Sequence, residues 1–221
     1  MGKIGVTTIP KYRNQKDLKR GRPKRQPYDS VLIVCEGAKT EPNYFQEIRV
    51  LERLSSAHVK IIPSTLGTDP LNVVKSAIEE FEKTRSFDKI YVVFDRDDHL
   101  NYDNAIVKAE ATDKKLKNNE KKAVTFEAIV SVPSFEFWLL LHFADVQAWF
   151  HRDEIMQRLK QHIANYEKGM NNTFASTRPH LEVAKQRGSH LKEQNSRRPG
   201  NEAYTDVQDL VTALFKLRTG Q

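Results

Sequence analysis

"KIYVVFDRDD", residues 89–98, runs β-branched and aromatic residues straight into three carboxylates within four positions. A short apolar run of this kind reads as a strand buried on both faces. Carboxylates gathered so closely repel one another, which leaves two readings: a solvated loop or cap, or a set of ligands for a cation. In extended backbone, residues two apart share a face, so Asp95 and Asp97 stand together and Asp98 turns away.

The flanking sequence repeats the strand signal at intervals. "DSVLIVCEG" (29–37) is a second β-branched run, ending in Gly37, and "VKIIPS" (59–64) and "FEAIVSV" (126–132) supply two more. Helical patterns separate them. In "TEPNYFQEIRVLERLSS" (40–56), Thr40 is placed to cap, with Pro42 in the first turn and Phe45, Ile48, Leu51 and Leu54 three apart. "DPLNVVKSAIEEFEKT" (69–84) is a helix capped by Asp69, and the charged stretch "YDNAIVKAEATDKKLKNN" (102–119) is a weaker one. The order β-α-β-α-β-α-β implies an α/β fold: a parallel-rich sheet of roughly four strands with helices on both faces. Such sheets bind ligands beyond the carboxyl ends of their strands. Glu36 and Asp95 both fall there, and Glu36 is the expected third carboxylate. Magnesium suits the place, since it takes hard oxygen ligands from one or two carboxylates together with substrate phosphates.

The chain has 221 residues and a net charge of +7, but the charge is unevenly placed. Residues 1–27 hold nine Lys or Arg against Asp17, a net of +8, which leaves −1 for the rest. This segment, with Lys19, Arg20, Arg22, Lys24 and Arg25 among Gly and Pro, reads as a flexible basic arm for a polyanion. A merely solubilising tail is the alternative. Cys35 lies within an apolar run and has no second cysteine to pair with, so it reads as a buried strand residue. No apolar run reaches the roughly 18 to 20 residues of a membrane span, and the N-terminus lacks a secretory apolar core, so a cytoplasmic protein is expected.

"VLIVCEG" and "YVVFDRDD" resemble the two acidic motifs of Toprim domains. Together with "CEGAKTEPNYF" and "SVPSFEFWLLLHF" they are similar to the RloB-like family of bacterial defence-associated Toprim proteins, over roughly Asp29 to the C-terminus. The resemblance implies a metal-dependent nuclease fold, Glu36, Asp95 and Asp97 as ligands of Mg²⁺ or Mn²⁺, and an AAA-type ATPase as partner.

In the third motif Phe135, Phe137, Trp138 and Leu139 to Leu141 read as a buried helix capped by Ser134 or a neighbour. Glu136, in that apolar setting, either caps the helix N-terminus or points at the site. His142 reads as a structural residue, with a proton carrier as the alternative. Lys39 follows Glu36 closely enough to meet a phosphate, whereas Glu41 is left open between a site role and a helix-dipole role.

Beyond Asp145 a helical extension (146–221) is expected to follow the core (28–145) and pack back on it. "DVQAWFHRDEIMQRLKQHI" (145–163) carries Val146, Trp149, Phe150, Ile155, Leu159 and Ile163 on one stripe. "NYEKGMNNTFASTRPH" (165–180) is loop-like, and "TDVQDLVTALFKLR" (205–218) is a capped amphipathic helix. Lys185, Arg187, Lys192, Arg197 and Arg198 form a second cationic surface, read either as phosphate-facing or as a solvated helix face.

The expected function is metal-dependent phosphodiester cleavage by an anti-phage defence effector. Glu36, Asp95 and Asp97 serve as ligands and Glu136 or Lys39 assists, with RNA, tRNA in particular, favoured over DNA. A non-catalytic nucleic-acid-binding adaptor and a toxin subunit silenced by an ATPase partner are the alternatives. A homo-oligomer is left open.

Overall fold

The computed structural model describes residues 29–96, 99–195 and 202–219. The basic arm with its five named cations, Asp97, Asp98, Arg197 and Arg198 lie outside the described residues.

Five strands form one sheet in the order β2-β1-β3-β4-β5. β1 (Val31–Cys35), β2 (Val59–Pro63), β3 (Lys89–Asp95) and β4 (Thr125–Val132) are mutually parallel. β5 (Tyr204–Thr205) runs antiparallel to β4, pairing Tyr204 with Val132 and Thr205 with Ser131. The expected four strands are all present. β5 is the addition, and two residues are too few to carry a periodicity by which sequence could announce it.

Alternation along each strand separates two apolar layers. Leu32, Val34, Ile90, Val92 and Phe94 face α2 (Pro70–Thr84) and α3 (Tyr102–Thr112). Val31, Ile33, Cys35, Tyr91 and Val93 face α1 (Thr40–Leu51) and the later helices: α4 (Phe135–Leu140), α5 (Arg152–His162), α6 (Thr173–Thr177), α7 (Leu181–Gln194) and α8 (Val207–Thr219). The segment after residue 145 therefore packs into the same core as the strands. Val207, Leu210, Val211 and Leu214 of α8 join that layer, as its pattern implied. Buried Glu52, just past α1, fastens the packing through Arg178 (2.6 Å) and Arg218 of α8 (2.8 Å).

Local chemistry moves several element ends. α2 begins as expected, with Asp69 accepting from the Leu71 N–H at 3.0 Å. Thr40 is not a side-chain cap. It is the first residue of α1, with its hydroxyl engaged elsewhere. α3 stops at Thr112 rather than running to Asn119, because Asp113 turns its carboxylate to the Phe126 N–H (2.8 Å) and Lys114 adopts a left-handed φ of 59°. The stripe of 146–163 is also shorter as helix. α5 starts at Arg152, where the His151 ring accepts from the Asp153 N–H, leaving Val146 to pack from a loop and Trp149 partly exposed. On α7, Arg187 donates to the Leu141 carbonyl (2.7 Å), while Lys192 pairs with buried Asp206 (2.7 Å) and with Asp209 (2.6 Å). Both cations tie the fold together rather than await a phosphate.

His142 is a core residue, as the structural reading held. Its Nδ1–H donates to the Trp138 and Leu139 carbonyls (3.1 and 3.2 Å), while Nε2 is buried with no hydrogen-bond partner. Burial, aided by the nearby charges of His180 and Arg187, pushes its pKa down to about 4. The unfolded chain therefore takes up a proton near pH 6.5 that the folded chain refuses until about pH 4, so stability drains away as pH falls through that window. The expected loss is up to about 3 kcal/mol at the acid end. Urea denaturation of wild type and His142→Phe between pH 7 and pH 4 should show a shallower acid decline in the variant.

Candidate active site at the carboxyl edge of the sheet

The parallel strands deliver their carboxyl ends to one rim. Beyond β1 the ladder continues, with the Glu36 N–H donating to the Val93 carbonyl at 2.8 Å. Beyond β3 the Arg96 N–H donates to the Ser131 carbonyl at 2.9 Å. Glu36 and Asp95 are thereby fixed on adjacent strands. The Glu36 carboxylate accepts from the Asp95 backbone N–H (Oε2, 2.9 Å) and faces His99 Nε2 (Oε1, 3.0 Å). Asp95 accepts from the Phe135 N–H. Its Oδ1 is buried with no hydrogen-bond partner.

Glu136 enters from the start of α4. Ser134 occupies the N-cap position but its side chain does not cap. Its hydroxyl donates to Glu136 Oε2 at 2.8 Å. Glu136 is only 2 % exposed and its charge is felt by Asp95 and Glu41, so it faces the site rather than capping the helix. Glu41, in the first turn of α1 and 5 % exposed, is a fourth carboxylate. It folds back over Gly37, where an added Cβ would lie 2.2 Å from Glu41 Oε2, so only glycine leaves room for the carboxylate.

Burial and mutual repulsion raise the acids. Desolvation pushes Glu41 up to about 7, with Glu136 and Glu36 adding and Lys168 opposing. Asp95 is held well above its ordinary value first by burial, then by Glu41, Glu36 and Glu136. Two further groups come from the loop between α5 and α6. Lys168 Nζ lies 3.8 Å from Glu136 Oε1. Tyr166 is 1 % exposed, and its hydroxyl lies beside Glu136 without a hydrogen bond of normal geometry.

Of the residues expected from sequence, Glu36, Asp95 and Glu136 are brought together, while Asp97 lies outside the described residues. Lys39 is exposed, and its aliphatic stem lies along Gly169, next to Lys168. Glu41, His99, Tyr166 and Lys168 were not singled out as site residues. Glu41, left open between a site role and a helix-dipole role, stands five residues past Glu36 at the start of α1, across the turn at Gly37. Tyr166 and Lys168 sit in a polar loop with no periodicity, where sequence carried no such signal.

Among the described residues no three His, Cys, Asp or Glu side chains form a ready metal-holding group. The residues present nonetheless suit a hard divalent cation. They offer carboxylate oxygens, one of them buried and unpartnered, in a cluster where burial first and then neighbouring negative charge raise Asp95 and Glu41.

Compared with known protein families, the chain matches the model described as RloB-like protein over residues 31–214. No curated protein and no solved structure matched.

The raised Glu41 predicts a gain from removing its charge. The folded state keeps this proton up to about pH 7, whereas the unfolded chain releases it near pH 4.5, so wild type loses stability as pH rises through that interval. Glu41→Gln, in EDTA, should be more stable than wild type at pH 8 by up to about 3 kcal/mol, and equal to it near pH 4.5. Thermal denaturation at the two pH values measures this, and a variant less stable at pH 8 would contradict it.

Proposed function

The chain belongs to the RloB-like family, and on that membership together with the carboxylate cluster we propose a metal-dependent nuclease that hydrolyses nucleic-acid phosphodiesters. The observation that carries this reading is the convergence of Glu36, Glu41, Asp95 and Glu136 at one sheet edge, with Asp95 Oδ1 buried and unpartnered. Stable folds do not gather acids in this way without a compensating partner. Glu36 and Asp95, with Asp97, would hold Mg²⁺ or Mn²⁺, which supplies neutralisation of charge on the scissile phosphate.

The chain's own groups then have defined tasks. The Asp95 N–H and His99 hold the Glu36 carboxylate in place, and the Phe135 N–H does the same for Asp95. Ser134 orients Glu136. In the hydrolysis a water oxygen bonds to phosphorus as the ester P–O bond breaks. The water gives up a proton to solvent or a carboxylate, and the departing oxygen takes one up. Preformed positioning of this kind accounts for much of a catalyst's advantage, since no group reorganises during the step.

RNA, with tRNA first, is the substrate of choice, and the basic arm supplies polyanion affinity that falls with salt. The resemblance to defence-associated proteins supports an anti-phage role with an AAA-type ATPase as partner.

Purified protein incubated with total tRNA or plasmid DNA in Mg²⁺, Mn²⁺ or EDTA tests the reading. Wild type should cut only with metal, and Glu36→Gln and Asp95→Asn should each fall at least a hundredfold. Equal cutting by all three proteins would contradict it. An adaptor would instead leave biological activity intact in Asp95→Asn.

A further inference from the structure

The loop between α5 and α6 is built onto the site by contacts far apart in sequence. The Gly169 N–H donates to Thr40 Oγ1 at 3.0 Å, and Asn43 Nδ2 donates to the Gly169 carbonyl at 2.9 Å. Gly169 itself has φ +82°, and an added Cβ would lie 2.7 Å from Lys39 Cβ, so position 169 accepts little else. These contacts pin the loop to the first turn of α1, directly after Glu36 and Gly37.

The pinning sets two side chains against the carboxylates. Lys168 reaches within 3.8 Å of Glu136 Oε1, yet its side chain is 62 % exposed. The ammonium thus stands at the mouth, too far from Glu136 for a hydrogen bond. Tyr166 is buried, its hydroxyl beside Glu136 without a hydrogen bond of normal geometry and close enough to Glu41 and Asp95 to feel their charges. Burial, followed by the charges of Glu136 and Glu41, keeps that phenol protonated well above its ordinary range, so it remains an O–H donor. A buried hydroxyl with no hydrogen bond of normal geometry, near enough to Asp95 to feel its charge while Asp95 Oδ1 is itself unpartnered, is a donor that a bound ligand would satisfy.

We propose that Lys168 and Tyr166 receive one phosphate group of the bound strand, Lys168 as a point charge at the mouth and Tyr166 as a hydroxyl donor. The assignment rests on the nucleic-acid hydrolase reading. In that reading a divalent cation would neutralise charge at the carboxylates, and a cation of the protein at the entrance adds attraction for the incoming phosphodiester. Lysine suits the task because its ammonium is compact and its stem can follow an incoming strand.

The test is binding of a short fluorescein-labelled RNA to the full chain, by anisotropy in Mg²⁺ over a series of salt concentrations, in a Glu36→Gln background that prevents cleavage. The arm's contribution is common to every variant compared. Lys168→Ala should weaken binding about tenfold and lower the salt slope by about one, and Lys168→Arg should restore the slope. Tyr166→Phe should weaken binding severalfold at an unchanged slope, because it removes a neutral donor. Unchanged affinity and slope in Lys168→Ala would overturn the proposal. In a parallel cleavage assay on otherwise wild-type protein, activity retained by Glu36→Gln and Asp95→Asn would overturn the nuclease reading. Activity lost in those two but retained in Lys168→Ala and Tyr166→Phe would overturn the phosphate assignment alone.

Discussion

Four carboxylates, Glu36, Glu41, Asp95 and Glu136, come near enough at the edge of the sheet for Asp95 and Glu41 to feel the others' charge, and their burial and repulsion are the constraint on which the site depends. Taking a single carboxylate out of water is costly, and gathering several multiplies the cost unless charge of the opposite sign or well-placed donors offset it. The fold supplies donors one by one: the Asp95 and Phe135 backbone N–H groups, the Ser134 hydroxyl, and the His99 ring. What they leave is visible in the raised acids Glu41 and Asp95. Lys168 offsets part of the remainder from a distance. The rest is the charge that a divalent cation and its phosphate ligand would complete.

The parallel sheet makes this convergence possible. β1, β3 and β4 end on one rim, so residues 36, 95 and 134–136 become neighbours although they lie far apart in the chain. The later helices do more than cover the second face. They share its core, lend β5 to the sheet, and send the α5–α6 loop back to the first turn of α1. A site assembled from both halves of the chain is lost if either half detaches, which couples folding of the helical part to whatever the carboxylates do.

Much of the architecture was legible because buried parallel strands write unbroken apolar runs and the helices between them carry caps or stripes. "VLIVC" and "KIYVVF" announced their strands, and Asp69 its helix. Glu36 and Asp95 were legible for the same reason, since strand ends locate the rim. What escaped was set by tertiary contact. β5 is two residues long. α3 ends where Asp113 is drawn to the β4 backbone, and Thr40 leaves its helix cap for Gly169. Lys168, from a polar loop without periodicity, stands beside Glu136, and the stem of Lys39 lies along the neighbouring Gly169.

The central claim is that the clustered carboxylates form a divalent-cation site, and isothermal titration of Mn²⁺ into wild type and Asp95→Asn at pH 8 tests it most directly. Saturable binding by wild type that is lost or weakened at least tenfold in the variant is the predicted result. The same affinity in both proteins, or no binding by a folded wild type, would contradict it.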